Sequence, residues 1–136
     1  MVRAIYTTVS NSDFYETIRA DAAQGETNWT VSRHAHIGDW VLLYVTAPIS
    51  AIVAWAIVAT EPEHVADPSS PWHNSYMADM HSLTMLAEPI KRGHWLTYFP
   101  EWRYWKQPRN SVRVPKEYES AVSRLLKVDA SADKAA

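Results

Sequence analysis

The chain has no cysteine and only three glycines, Gly25, Gly38 and Gly93, in 136 residues. Without cysteine there is no disulfide framework, no thiol nucleophile and no thiolate metal site, and such a composition suits a reducing compartment such as the cytosol. Three scattered glycines cannot form the phosphate-cradling loop of a P-loop or dinucleotide fold, so nucleotide-dependent chemistry is not expected. Phenylalanine is also scarce, at two residues, whereas tryptophan and tyrosine each occur seven times. Large rings with a polar edge are therefore over-supplied.

The length, with 47% hydrophobic and 21% charged residues, fits one compact globular domain. We assign it to residues 1–127, leaving 128–136 (VDASADKAA) as a flexible tail. The formal net charge is only −2, but its distribution is uneven. Between Lys91 and Arg113 six basic residues face a single acid, Glu101, while the rest of the chain carries seven basic against fourteen acidic residues. A locally positive surface on a mildly acidic protein can hold a polyanion at one face and stay soluble elsewhere; a solvated loop with spare charge is the plainer alternative.

Residues 40–59 form twenty consecutive uncharged residues, the length of a membrane-crossing helix. Pro48 interrupts them inside Thr46-Ala47-Pro48-Ile49-Ser50, a turn sequence, and the flanking runs are rich in β-branched and aromatic residues. Two buried antiparallel strands joined by a hairpin loop are expected, in a soluble cytoplasmic protein; Met1 to Ser10 has no apolar run fit for a signal sequence. Val2 to Thr8 reads as a first strand. A helix follows, capped by Ser12 or Asp13, with Phe14, Ile18 and Ala22 on one face and Gly25 at its end. Gly38-Asp39 marks a tight turn before Trp40, Glu61 to His81 reads as mostly irregular, and Leu83 to Ile90 as a strand. Residues 94–105 hold six of the sixteen aromatics, and Pro115 opens a last helix running to about Lys127.

The chemistry-bearing residues do not assemble into a catalytic pattern. His34 and His36 share a face if their segment is extended, but no further ligand has zinc-site spacing, so no metal and no cofactor are expected. No serine lies in a nucleophile-elbow context, and Glu61, Glu63 and Asp67 read as an acidic loop. No catalytic residue is assigned, and the protein is expected not to be an enzyme. Binding is what the rings allow. Trp40 and Trp55 sit in apolar runs and read as core, whereas Trp29 and Trp72 lie among polar or loop residues. Two such rings can stack on a planar ligand, each contributing about 1–3 kcal/mol, or can plug the end of a small barrel.

The order of segments is similar to that of the EVE domain family, in the PUA-like superfamily that also holds the YTH and ASCH domains. The matching features are the strand entering a polar turn (Tyr6 to Asp13), the helix, Trp29-Thr30-Val31-Ser32, and Ile37-Gly38-Asp39-Trp40-Val41-Leu42-Leu43-Tyr44. The second core strand (Ala51 to Thr60) and Arg109-Asn110-Ser111-Val112-Arg113 before the last helix complete the set, over about residues 2–127. The resemblance implies an α+β fold, a small curved β-barrel of about five to six strands flanked by helices, that recognises a modified base. By the same resemblance Trp29 and Trp72 enclose a methylated or hydroxymethylated base flipped into an aromatic cage, with Tyr76 or a residue of the Trp95 to Trp105 cluster as the other candidate for the second wall. Thr30 contacts the base edge, and Ser10, Asn11 or Asp13 read its Watson–Crick side. Arg33, Lys106, Arg109 and Arg113 are the candidates for phosphate contacts, because base flipping costs a few kcal/mol that backbone contacts can offset. The expected partner is DNA or RNA carrying the modified base, with no membrane, and with a homodimer or a separate effector protein as further partners. A different reading makes the Trp95 to Trp105 aromatics a homodimer or partner surface, since aromatics with arginine are also what interfaces use.

Overall fold

The structure is a computed structural model that describes residues 4–135, with side-chain surroundings through Leu126. One sheet organises the chain. Its strands are β1 (Ile5–Ser10), β2 (Glu26–Thr30), β3 (Trp40–Val45), β4 (Ala51–Val58), β5 (Glu63–His64) and β6 (Tyr76–Lys91). The order across the sheet is β1-β3-β4-β6-β2, with β5 paired to the start of β6. β1 runs parallel to β3 and the other pairs are antiparallel. Helices are α1 (Tyr15–Gln24), α2 (Arg92–Tyr98) and α3 (Lys116–Ala135), with short 3-10 turns at Ser12–Phe14 and Arg103–Lys106.

The uncharged stretch at 40–59 is the expected hairpin, β3 and β4, and among the described residues no helix is long and apolar enough to cross a membrane. Its continuous hydrophobicity has a simple cause. Val41, Leu43 and Val45 enter one core, and Leu42 and Tyr44 enter a second core on the opposite face. A strand covered on both sides cannot alternate apolar with polar. In β4 the alternation slips: Val53 and Ala54 both enter the first core, at the point where the pairing of β4 with β6 shifts register. Such a bulge bends the strand and increases its twist. α1 packs Ile18 into the first core, and α2 and α3 pack Trp95, Val122 and Leu126 into the second.

Three segments differ from their sequence reading. The stretch 61–81 is less irregular than its prolines suggest, because β6 already starts at Tyr76: Ala78 and Met80 point inward while Asp79 and His81 are exposed, a period of two hidden in a polar segment. Neither Ser12 nor Asp13 caps α1: Asn11 caps the 3-10 turn Ser12–Phe14 that leads into it, its side chain accepting from the Asp13 amide at 2.9 Å, and Phe14, at the N-cap of α1 itself, makes no side-chain cap bond. Trp40 and Trp55 are half-buried, stacked on each other at 4.9 Å on the second core. The first strand begins at Ile5, and the backbone of α3 continues to Ala135. The tail expected at 128–136 lies outside the residues whose side chains are described.

Candidate functional site

The two edge strands of the sheet, β1 and β2, come together without pairing their backbones. Side chains join them instead. The hydroxyls of Thr8 and Thr30 are hydrogen-bonded at 2.9 Å, and the Ser111 hydroxyl donates to the Thr7 carbonyl while accepting from the Ser32 amide at 3.0 Å. Unpaired strand edges must be covered or satisfied; here short polar side chains do it together with segment 112–114, which bonds β1 through the Thr7 amide to the Val112 carbonyl at 2.8 Å and the Val114 amide to the Ile5 carbonyl at 2.7 Å. Thr7 is itself held: its hydroxyl accepts from the Val112 amide at 3.2 Å and donates to the Tyr104 hydroxyl at 3.1 Å.

A cleft of about 550 Å³ opens along this seam, bordered by Thr8, Thr30, Arg33, Trp72, Tyr76 and Asn110. That volume lies within the range of small-ligand pockets. Trp72 is delivered by the turn-rich segment 65–75, which is closed at its base by Val65 and Asn74 or Ser75 backbone bonds of 2.9–3.0 Å. Within it Asp67 accepts from the Ser69 amide and hydroxyl, which hold its carboxyl below the usual range, and the Trp72 amide donates to the Ser70 hydroxyl at 3.1 Å. Asn74 takes the left-handed conformation, φ 70°, that turns the chain into β6. The Tyr76 carbonyl accepts from the Val31 amide at 3.0 Å, so this segment is tied to the end of β2.

Trp29 behaves differently from Trp72. It is only 6% exposed, a core residue of the edge strand β2. Its ring meets Trp72 edge to face, with centroids 6.0 Å apart and planes at 66°, and meets Phe14 at 5.2 Å. A base sandwiched between two rings needs them parallel and about 7 Å apart, twice an aromatic contact distance. Trp29 therefore backs Trp72, and the aromatic residues that line the cleft are Trp72 and Tyr76, the latter with its ring 5.3 Å from that of His64.

The other sequence candidates are distributed as follows. Thr30 and Arg33 border the cleft. Ser10, Asn11 and Asp13 do not: Ser10 is buried with its hydroxyl donating to the Asn11 carbonyl at 3.1 Å, Asn11 is engaged as the cap of the 3-10 turn, and Asp13 lies exposed within that turn. Lys106 and Arg109 line an adjoining groove that shares Asn110 with the cleft, while Arg113 is paired with Glu119 at 3.4 Å and lines neither. The three tryptophans of the Trp95 to Trp105 segment lie in the second core. Trp95 and Trp105 are fully buried and Trp102 is 6% exposed, in a block of stacked and edge-on rings. None of these three rings lines the cleft, whereas Tyr98 of the same segment is 54% exposed and, with Phe99 and Leu125, lines a separate shallow pocket, the part of the segment open to a partner. Sequence reading missed Thr8, Asn110 and Ser111 as residues of the site; their signals were the strand entering a polar turn, Tyr6 to Asp13, for Thr8, and the Arg109-Asn110-Ser111-Val112-Arg113 motif for the other two. Among the described residues no three metal-ligating side chains converge.

No family model and no curated protein matches the chain. Solved structures do. A Pseudomonas syringae protein aligns at a TM-score of 0.72 and 16% identity, over 90% of this chain and 99% of its own. Human THYN1, in a crystal structure with 5-methylcytosine containing DNA, aligns at a TM-score of 0.68 and 15% identity, over 90% and 96%. A mutant of the Zymomonas mobilis ASCH protein aligns at a TM-score of 0.60 and 11% identity, over 90% and 99%. The chain thus shares the fold of these structures, an α+β curved sheet flanked by helices, the architecture expected from its sequence.

Proposed function

We propose that this protein is a non-enzymatic, cytoplasmic reader of a modified base in DNA or RNA, taking the base from a single strand or flipped from a duplex into the seam cleft. The observation that carries this reading is the juxtaposition of two ring walls, Trp72 and Tyr76, with the polar seam Thr8, Thr30 and Ser111 in one open cleft. Rings give stacking energy to any base, and fixed hydroxyls and backbone groups distinguish its edge. A methyl or hydroxymethyl group adds little by area alone, about 25 cal/mol per Å², so discrimination depends on fit and edge contacts together. The DNA held by the THYN1 neighbour supports the same class of ligand. No Asp or Glu borders the cleft, so the paired carboxylates of acid–base hydrolysis have no counterpart there.

The cage differs in one respect from the arrangement implied by the family. In this reading the base stacks on the cleft side of Trp72, with Tyr76 opposite or beside it, and Trp29 supports Trp72 from behind. Titration of matched oligonucleotides carrying cytosine, 5-methylcytosine or 5-hydroxymethylcytosine, and the corresponding adenine set, against wild type and Trp72→Ala tests it. A preference for one modified base that disappears in the variant is expected. Equal, weak binding of all oligonucleotides by both proteins sinks the reading.

A further inference from the structure

Beside the cleft runs a groove of about 450 Å³, lined by Arg103, Tyr104, Lys106, Gln107, Arg109 and Asn110. Arg103, Lys106 and Arg109 are exposed, and none of them has an acidic partner among the described residues. Glu101, the single acid between Lys91 and Arg113, does not line it. Three like charges in one concavity repel each other and concentrate a positive potential there, which an anion relieves.

The backbone that carries these cations is pinned from beneath. The Arg92 guanidinium donates to the carbonyls of Trp105 and Lys106 at 3.1 and 3.2 Å, and Trp105 between them is fully buried. On the other side the Tyr104 hydroxyl donates to the Asn110 carbonyl at 3.1 Å, while Asn110 itself turns through a left-handed conformation, φ 61°. Asn110 borders both concavities, so the groove leads directly into the base cleft, and Arg33 stands in the cleft as a further cation. Charges on a rigid support lose little freedom when they bind, the condition under which ion contacts add affinity.

We infer that this groove carries the sugar-phosphate backbone of the strand whose base enters the seam cleft, with Arg103, Lys106 and Arg109 each meeting a phosphate. The inference rests on the reading of the cleft as a base site. Arg113 has no part in it, because its guanidinium is turned to Glu119.

The test compares wild type with the triple variant Arg103→Gln, Lys106→Gln, Arg109→Gln, whose positions are all exposed. Each is titrated between 50 and 200 mM salt, on the order of the usual range, with a short single-stranded oligonucleotide containing the preferred modified base and with the free modified nucleoside. For the oligonucleotide, the slope of log affinity against log salt should shrink by about 2 in the variant, at roughly 0.7 per phosphate for three contacts, while nucleoside binding is unchanged. An unaltered slope overturns the groove. Failure of the base reading looks different: oligonucleotides then bind alike with and without the modification and the nucleoside does not bind, yet the variant still lowers the slope. Polyglutamate binding wild type as tightly as the oligonucleotide, with the same loss in the variant, overturns the assignment to a nucleic-acid backbone.

Discussion

The hydroxyl oxygens of Thr8 and Thr30 lie 2.9 Å apart, one on each edge strand, and both residues border the cleft. The closure of the sheet and the making of the site are therefore one event. Two edges that do not pair leave room for a ligand between them, and the side chains that bridge the gap also present its polar groups.

Loss of the Ser111 bridge should be felt as instability. Ser111→Ala leaves the Ser32 amide without its acceptor and the Thr7 carbonyl without one of its donors, which costs about 1–3 kcal/mol when such groups are buried. Urea denaturation should show a lower midpoint at unchanged slope, and hydrogen exchange at Ser32 should quicken. A midpoint equal to wild type counts against the seam as a structural element.

Trp29 and Trp72 should separate stability from binding. Trp29→Ala opens a cavity in the first core and should destabilise the fold by about 3–5 kcal/mol. Trp72→Ala removes a half-buried loop ring, so most of its cost should appear in base affinity, about 1–3 kcal/mol. Thermal melts and base titrations on both variants give the two quantities side by side.

Alkaline pH should weaken the fold through Tyr104. Burial pushes its phenol up to about 12, against an ordinary value of 10, although the Thr7 hydrogen bond acts the other way. The unfolded chain then releases this proton before the folded one does. Its stabilisation is complete below pH 10 and is lost as pH rises from about 10 to about 12. Tyr6 is shifted upward too, chiefly by burial and then by Asp39, and contributes in the same direction. In Tyr104→Phe the alkaline loss of stability should be shallower, measured as denaturation midpoints across that range.

Arg113→Gln should leave nucleic-acid affinity and its salt dependence as they are. The Arg113–Glu119 pair is partly solvated, so its removal should cost no more than about 1 kcal/mol of stability. A fall in the salt slope comparable with that of Arg109→Gln would return Arg113 to the list of phosphate contacts.

How legible these features are in the sequence follows from how far apart their partners lie. The β3–β4 hairpin is readable because burial on both faces writes a continuous apolar run. The position of Trp29 is readable but its burial less so: on an edge strand its neighbours Asn28 and Thr30 point the other way, and Asn28 pairs with Asp79 on the outer face at 2.8 Å. The start of β6 is masked by Asp79, His81 and Ser82, which are polar because they face water. The stacking of Trp40 on Trp55 depends on a register that bulges decide. Ser111 reaches Thr7 across 104 positions of chain, and nothing local to either residue announces the contact.

The length of β6, sixteen residues, has a mechanical side. Ala78, Met80 and Leu83 in its first half belong to the core around Trp29, whereas Leu86 and Ile90 in its second half belong to the ring block around Trp105. A single strand thus contributes side chains to both cores, which couples the melting of one to that of the other. Heat should unfold the molecule in one cooperative step, and a void made beneath α3, far from the cleft, should loosen the walls of the cleft as well.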